Sequence, residues 1–223
     1  MYCVNVGRTR IHNQETAAAL LEAAEAIVEA EGVEGLSLRR LAQQVGTTTR
    51  AVYSSLGSKQ ALVAALGLRA FDLLAAQIAA QPRSDDPTAD LVAAGATGFR
   101  RWALDHPALF RVGFLHQVSI PREVWSRFGS GGGPLNVTTA STSAQHALGV
   151  LHDLIRRVEQ DGGLAGRTLY EATWQFHSLC EGLAVMDLRA TMPCPATDSQ
   201  PIWADALGAL VAGWRVTTPT TSH

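Results

Sequence analysis

The sequence predicts an all-α protein, with a small N-terminal three-helix domain followed by a larger helical domain. Apolar residues recur three and four positions apart, as they do along amphipathic helices. Beyond Pro87 no stretch alternates apolar and polar residues as a strand would. Glycine and proline interrupt the helical pattern at intervals, with a clear loop at Pro82–Pro87. The 223 residues are enough for one large domain or two small ones.

The amino-acid composition excludes several classes of protein. A hydrophobic content of 47% and a charged content of 17% are typical of a globular protein rather than a disordered or fibrous one. The three cysteines are odd in number and widely spaced, which predicts neither a disulfide framework nor a zinc site, and leaves open a redox role for Cys180 or Cys194. No apolar run approaches the length of a membrane span, and the N-terminus lacks the apolar core of a signal peptide. We therefore expect a cytoplasmic protein with no membrane partner.

The first helix is predicted from about Asn13 to Glu31, behind a flexible arm over residues 1–12. Asn13 is a suitable N-cap, and Gly32 supplies the stop. The arm carries Arg8 and Arg10, so it is either a phosphate-contacting arm or a frayed terminus. The helix is rich in glutamate.

Two short helices joined by a tight turn are predicted over residues 37–56. Ser37 can start the first helix, Gly46 can end it in the left-handed conformation, and Thr48 can cap the second. The inward face is predicted to consist of Leu38, Leu41, Ala42, Val45, Ala51, Val52 and Leu56. The outward face of the second helix then holds hydroxyl, guanidinium and phenol groups, from Thr49, Arg50, Tyr53 and Ser54.

The charge of this stretch favours nucleic acid. From Ser37 to Gln60 there are four basic residues and no acidic one: Arg39, Arg40, Arg50 and Lys59. Such a surface suits phosphates and base edges. The stretch therefore predicts a helix-turn-helix whose second helix reads DNA. The alternative is an ordinary pair of core helices with a solvated basic face.

With its flanking elements, this unit resembles the N-terminal domain of TetR/AcrR-type transcriptional regulators. The matching residues, in the family's order and spacing, are Gly32, Leu36, Ser37, Leu41, Ala42, Gly46, Thr48, Val52, Tyr53, Gly57, Ser58 and Lys59. The resemblance implies a bacterial DNA-binding domain over residues 13–74 that binds operators as a dimer. It places Thr48, Thr49, Arg50, Tyr53, Ser54 and Lys59 near DNA, and we add Ser37 as a phosphate contact. The sequence Ser54-Ser55-Leu56 departs from the bulkier family pattern, so this end of the helix is predicted to reach less far.

The remaining chain is predicted to form a helical ligand-binding and dimerisation domain over residues 75–216, with a flexible tail over 217–223. A helix at about Ser58–Ala80 is predicted to lead into this domain, whose further helices are predicted at Thr88–Asp105, from Pro107, and at Ser143–Gln160, Arg167–Ala190 and Ile202–Arg215, with a long connection at Gln117–Ser143. By resemblance, the last two helices form the dimer surface. Leu183, Met186, Leu207 and Leu210 are the residues expected to be buried there.

Trp174, His177 and Gly182 match a Trp-x-x-His-x-x-x-x-Gly pattern. This pattern resembles one C-terminal ligand-binding subfamily of these regulators, named for its Trp, His and Gly. The pocket residues we predict are Phe99, Trp102, Phe110, Phe114, Trp174 and His177. The alternative is that these side chains are simply core, with His177 hydrogen-bonded to a neighbouring helix.

Together these features predict a homodimeric transcriptional regulator, in the form of a repressor that a small apolar effector releases from a double-stranded DNA operator. A ligand-independent silencer or activator is the alternative within the same class. An enzyme that uses the C-terminal pocket is the alternative from another class. No nucleophile and base stand at a recognisable spacing, and no His-Glu-x-x-His occurs. We therefore predict no catalytic site, no metal site and no cofactor.

Overall fold

The computed structural model of the protein describes residues 6–115, 139–189 and 198–216, and these residues are helical without any strand. The fold class predicted from the sequence is confirmed. The helices are α1 Val6–Glu31, α2 Leu38–Val45, α3 Thr49–Leu56, α4 Lys59–Ala79, α5 Pro87–Ala93, α6 Arg100–Asp105, α7 Pro107–Phe110, α8 Thr139–Gln160, α9 Leu169–Leu188 and α10 Gln200–Trp214. A 3₁₀ turn, Val33–Gly35, follows α1, and two π-helical segments occupy Ala94–Phe99 and Arg111–Leu115.

The chain divides into two compact units. The first comprises residues 1–70 and 108–118, and the second comprises residues 71–107 and 119–223. The sequence predicts a single boundary after residue 74, whereas residues 108–118 belong to the first unit. Residues 1–5, most of the predicted Gln117–Ser143 connection, the predicted tail at 217–223 and Cys194 lie outside the described residues.

The first unit is built around the apolar faces of α1, α2 and α3. The core includes Leu20, Ile27, Leu36, Leu41, Val52, Leu62 and Leu66, each no more than 2% exposed. Residues from α7 and the π segment after it add to this core, and Phe110 stacks on Phe114 with ring centroids 5.2 Å apart. α1 begins at Val6 instead of the predicted Asn13.

The second unit has an aromatic core. Trp102, Trp203 and Trp214 are each no more than 2% exposed. The predicted helix at Thr88–Asp105 forms as α5 and α6 joined by the π segment, and the junction residues Ala94 and Arg100 keep right-handed helical angles. α10 passes very close to this segment: a Cβ added to Gly95 would lie 2.5 Å from Leu207 Cδ1. Glycine at position 95 is what permits the approach.

α4 is more apolar than the sequence-based expectation allowed. It is long and apolar enough, at a mean hydropathy of 1.6, to cross a membrane by length and composition, so the expectation that no such stretch exists is wrong. The core helix of a globular protein meets the same criterion, and Leu62, Leu66 and Ala70 of α4 are fully buried. The helix is therefore weak evidence for a membrane.

Candidate nucleic-acid interface

α2 begins and ends as its sequence predicts. Ser37 is extended, at φ −135° and ψ 141°, and its Oγ accepts a hydrogen bond from the Arg40 backbone N–H at 3.2 Å. Gly46 ends the helix in the left-handed conformation, at φ 70°, which costs glycine no steric penalty. Leu38, Leu41 and Ala42 are buried and hold this helix against the core. The Ser37 hydroxyl is therefore fixed at an exposed helix start.

α3 is held in the same way. Thr48 is extended, and its Oγ1 accepts from the Ala51 backbone N–H at 3.1 Å. Val52 is 0% exposed, so the inward face of the helix is anchored. Gly57 ends the helix at φ 76°. Two caps and one buried valine thus set which side of this eight-residue helix faces outward.

The predicted reading residues all lie on that outward side. Thr48, Thr49, Arg50 and Ser54 are exposed, and Tyr53 is 56% exposed. Among the described residues Arg50 makes no ion pair, so its guanidinium is available to an external anion or base edge. A long phenol and a guanidinium beside three hydroxyl groups give one surface that can donate hydrogen bonds to DNA.

Lys59 opens α4 at the edge of this surface. It is half-buried, and its Nζ donates to the Glu34 carbonyl oxygen at 3.5 Å, a long contact that an anion can replace. The preceding Ser58 caps the helix, because its Oγ accepts from the Ala61 backbone N–H at 3.1 Å. The ammonium group therefore lies near the connector that links α1 to α2.

Arg40 does not behave as the charge pattern predicts. Its guanidinium donates to the carboxylate of Glu31, the last residue of α1. The hydrogen bond from Arg40 lowers the pKa of the Glu31 carboxyl, and the same bond raises the pKa of the guanidinium. One of the four basic side chains in Ser37–Gln60 is therefore already paired.

Comparison with known families agrees with this geometry. Residues 20–66 match "Bacterial regulatory proteins, tetR family", and residues 92–210 match "Tetracyclin repressor-like, C-terminal domain". The chain belongs to the TetR family of bacterial regulatory proteins. The match over residues 20–66 contains the whole helix-turn-helix unit, from Ser37 to Lys59. The closer resemblance to the Trp-His-Gly subfamily stays a prediction.

Solved structures of TetR-family proteins share the fold. A regulatory protein in the tetR family from Rhodococcus RHA1 has a TM-score of 0.62 at 20% identity, with 92% of this chain and 98% of that chain covered. The regulator PfmR from Thermus thermophilus has a TM-score of 0.60 at 18% identity, with 86% and 96% covered. RolR, solved in complex with resorcinol, has a TM-score of 0.59 at 17% identity, with 92% and 94% covered. No curated protein sequence matches the chain.

Four of the six predicted pocket residues come together in the second unit of this TetR-family protein. The ring of Phe99 lies 5.9 Å from that of Trp102 and 6.4 Å from that of His177, and the rings of Trp174 and His177 are also 6.4 Å apart. Burial lowers the pKa of His177 to about 4, so its imidazole is neutral at neutral pH. Phe110 and Phe114 instead stack on each other in the first unit.

The outer face of α9 and α10 is partly apolar. Met186 is 42% exposed and Ile202 is 41% exposed, and an open groove of about 640 Å³ runs along α9. Its lining is Ser178, Leu179, Glu181, Gly182, Leu183, Val185 and Met186. Leu207 is 0% exposed and contacts the interior at Gly95, so its predicted place on a dimer surface is wrong.

The second unit contains a buried polar cluster that was not predicted from the sequence. Asp187 Oδ2 accepts from Ser199 Oγ at 2.7 Å and from Trp203 Nε1 at 3.1 Å, and lies 3.3 Å from Arg100 Nε. The Asp187 side chain is 7% exposed. The sequence signal for this cluster is slight: one aspartate at the end of an apolar helix, and one serine just before the next.

Proposed function

We propose that the protein is a cytoplasmic, homodimeric transcriptional repressor whose operator binding is weakened by a small apolar effector. One observation carries the proposal. The outward face of α3, which holds Thr49, Arg50, Tyr53 and Ser54, is exposed, while its inward residue Val52 is fully buried and both helix ends are capped. A capped helix with an exposed polar and cationic face suits the major groove of DNA.

Roles on DNA follow from the chemistry of each side chain. Arg50 is the proposed base-reading residue, because its planar guanidinium can donate two hydrogen bonds to guanine. Thr48, Thr49 and Ser54 lie beside it, within the shorter reach of hydroxyl groups. Ser37, Tyr53 and Lys59 are the proposed phosphate contacts that fix the register. Specificity should rest on the N-terminal half of α3, because Ser54 and Ser55 have short side chains.

Dimerisation is proposed through the exposed apolar face of α9 and α10. Leu183, Met186 and Ile202 supply apolar surface there, and nothing lies within 4 Å of a Cβ added to Gly182 or Gly208. Small residues allow two helices to approach closely, so a second copy of this face fits the surface. Two copies would present their α3 helices to half-sites about one turn, roughly 34–36 Å, apart.

The proposed effector site involves the cluster of Phe99, Trp102, Trp174 and His177. Aromatic walls with one neutral imidazole suit a small, mostly apolar molecule. RolR is a fold neighbour whose solved structure contains resorcinol, and this supports an effector of similar size. An effector that changes operator affinity by about 5–150-fold needs a coupling free energy of only about 1–3 kcal/mol.

Arg50→Ala tests the central claim. A cognate duplex is first selected from random DNA by the wild-type protein, and affinities for cognate and random duplexes are then compared. Loss of two hydrogen bonds to a base should weaken cognate binding by about 1–3 kcal/mol and random binding much less. Arg83→Ala is the matched control, since Arg83 is an exposed arginine in the loop before α5.

Equal loss on both duplexes would show that Arg50 contacts phosphate only. Failure of the wild-type protein to enrich any sequence would contradict the proposed function as a whole. If cognate binding does not respond to added cell extract, the protein is the ligand-independent regulator.

A further inference from the structure

We propose that Glu31 sets the DNA affinity of the protein by holding Arg40 away from the phosphate backbone. The inference rests on the proposed DNA-binding function and concerns how strongly its interface attracts DNA. The pairing of these two side chains removes one positive charge from a surface whose other basic residues make no ion pair among the described residues.

The pair has the geometry of a strong guanidinium–carboxylate contact. Both terminal nitrogens of Arg40 donate, one to each carboxylate oxygen of Glu31. Glu31 reaches Arg40 by passing over Gly35 in the 3₁₀ turn. A Cβ added to Gly35 would lie 2.6 Å from Glu31 Cβ and 2.9 Å from Glu31 Oε2. The absence of a side chain at Gly35 therefore leaves the space that this contact needs.

The pair also lies beside a proposed phosphate contact. The Arg40 backbone N–H donates to Ser37 Oγ, so both residues belong to the first turn of α2. A phosphate that approaches Ser37 meets Arg40 and, with it, the negative charge of Glu31. While the pair holds, its net charge is zero and Arg40 neutralises no phosphate.

The pair lies at the surface, so Arg40 can reach a phosphate once Glu31 no longer holds it. The Arg40 and Glu31 side chains are 45% and 44% exposed, so water and salt screen their attraction. Removal of the Glu31 charge should release Arg40 to a phosphate. Each phosphate that a cation neutralises adds about 0.9 to the slope of log affinity against log salt concentration.

The experiment measures that slope with full-length protein and a random-sequence duplex, over about 50 to 200 mM salt. Glu31→Gln should steepen the slope by about 0.9 and tighten binding roughly three- to tenfold at the low-salt end. Glu22→Gln is the matched control, because Glu22 is exposed on the same helix and makes no ion pair among the described residues. It should leave the slope unchanged.

Two further variants separate competition from a structural role. Arg40→Gln alone should leave the slope within about 0.3 of the wild-type value, because no phosphate contact is lost, while the unpaired Glu31 carboxylate lowers the affinity itself. Glu31→Gln combined with Arg40→Gln should return the slope to that value. A pair that only joined α1 to α2 would change the thermal midpoint without changing the slope. Glu31→Ala carries the same expectation as Glu31→Gln if the latter does not fold.

The inference is overturned if Glu31→Gln and Glu22→Gln give the same slope. It is also overturned if Arg40→Gln alone flattens the slope by about 0.9, since Arg40 would then already contact phosphate. Either result leaves the proposed function standing. If the wild-type protein binds neither random nor selected DNA, the proposed function fails and this inference fails with it.

Discussion

Single residues on the proposed DNA-facing surface differ in the partners they already have. Arg50 makes no ion pair among the described residues, Lys59 touches a backbone carbonyl, and Arg40 is paired with Glu31. A free guanidinium can read a base, whereas a paired one must first leave its carboxylate. Two arginines ten positions apart therefore have different environments, one paired with a carboxylate and one not paired among the described residues.

Lys59→Ala should weaken binding to all sequences alike and reduce the salt slope by about one. The physical reason is that an ammonium group is a point charge that contacts phosphate without reading bases. The slope is measured by titration of random duplex DNA at several salt concentrations. Gln60→Ala, an exposed and uncharged neighbour, is the control. An unchanged slope for Lys59→Ala would remove this residue from the phosphate contacts.

The sequence predicts residue-scale features well when they are local. The caps at Ser37 and Thr48 form as expected because a cap depends on residues two or three positions away. The pairing of Glu31 with Arg40 spans nine positions and depends on the space above Gly35. A count of charges along the chain carries no information about such a contact.

At the scale of helices, boundaries follow from caps and breakers. Thr168 and Glu171 form a reciprocal capping box that starts α9 one residue after Thr168. The π segment at Ala94–Phe99 was not predicted, because apolar periodicity cannot distinguish one extra residue in a turn from an ordinary helix. The return of residues 108–118 to the first unit was not predicted either, since it depends on long-range packing.

Asp187→Asn should destabilise the second unit by about 1.5–3 kcal/mol, because the neutral amide oxygen that replaces Oδ2 accepts hydrogen bonds more weakly than a carboxylate does. Arg100 keeps two other contacts, to Ser199 Oγ at 2.9 Å and to Asp198 at 3.0 Å, and these limit the loss. The free energy of unfolding is measured by denaturant titration. Asp153→Asn is the control: its ion pair with Arg156 is exposed, so the change should be below about 1 kcal/mol. Equal effects of the two variants would contradict a stabilising role for the cluster.

At the scale of the whole molecule, the sequence predicts the helical class and the family, but not which apolar residues face outward. Leu207 and Met186 both occur on apolar helices near the C-terminus, yet one is fully buried and the other is 42% exposed. The difference follows from the close approach at Gly95, which turns Leu207 inward. When a helix is apolar on all sides, its sequence does not show which side faces the interior and which side faces solvent.

Met186→Glu should convert the proposed dimer to a monomer, because burying an unpaired carboxylate against the apolar face of a second copy costs free energy. We expect the dimer dissociation constant to rise at least about tenfold, or about 1.4 kcal/mol. Sedimentation equilibrium measures it, and operator affinity should fall in parallel. Leu104→Glu, at a residue 39% exposed on α6, is the control. A dimer that survives Met186→Glu unchanged would place the interface elsewhere.

The Asp187 cluster has a consequence for chain connectivity. Asp187 and Ser199 are twelve positions apart in sequence, and their side chains are joined by one hydrogen bond of 2.7 Å. This hydrogen bond therefore holds the two ends of the intervening chain segment close together. For a connection closed in this way, each doubling of length costs only about 0.6 kcal/mol of closure entropy. Lengthening the chain between α9 and α10 should therefore cost little free energy, because the hydrogen bond between Asp187 and Ser199 still joins the two helices.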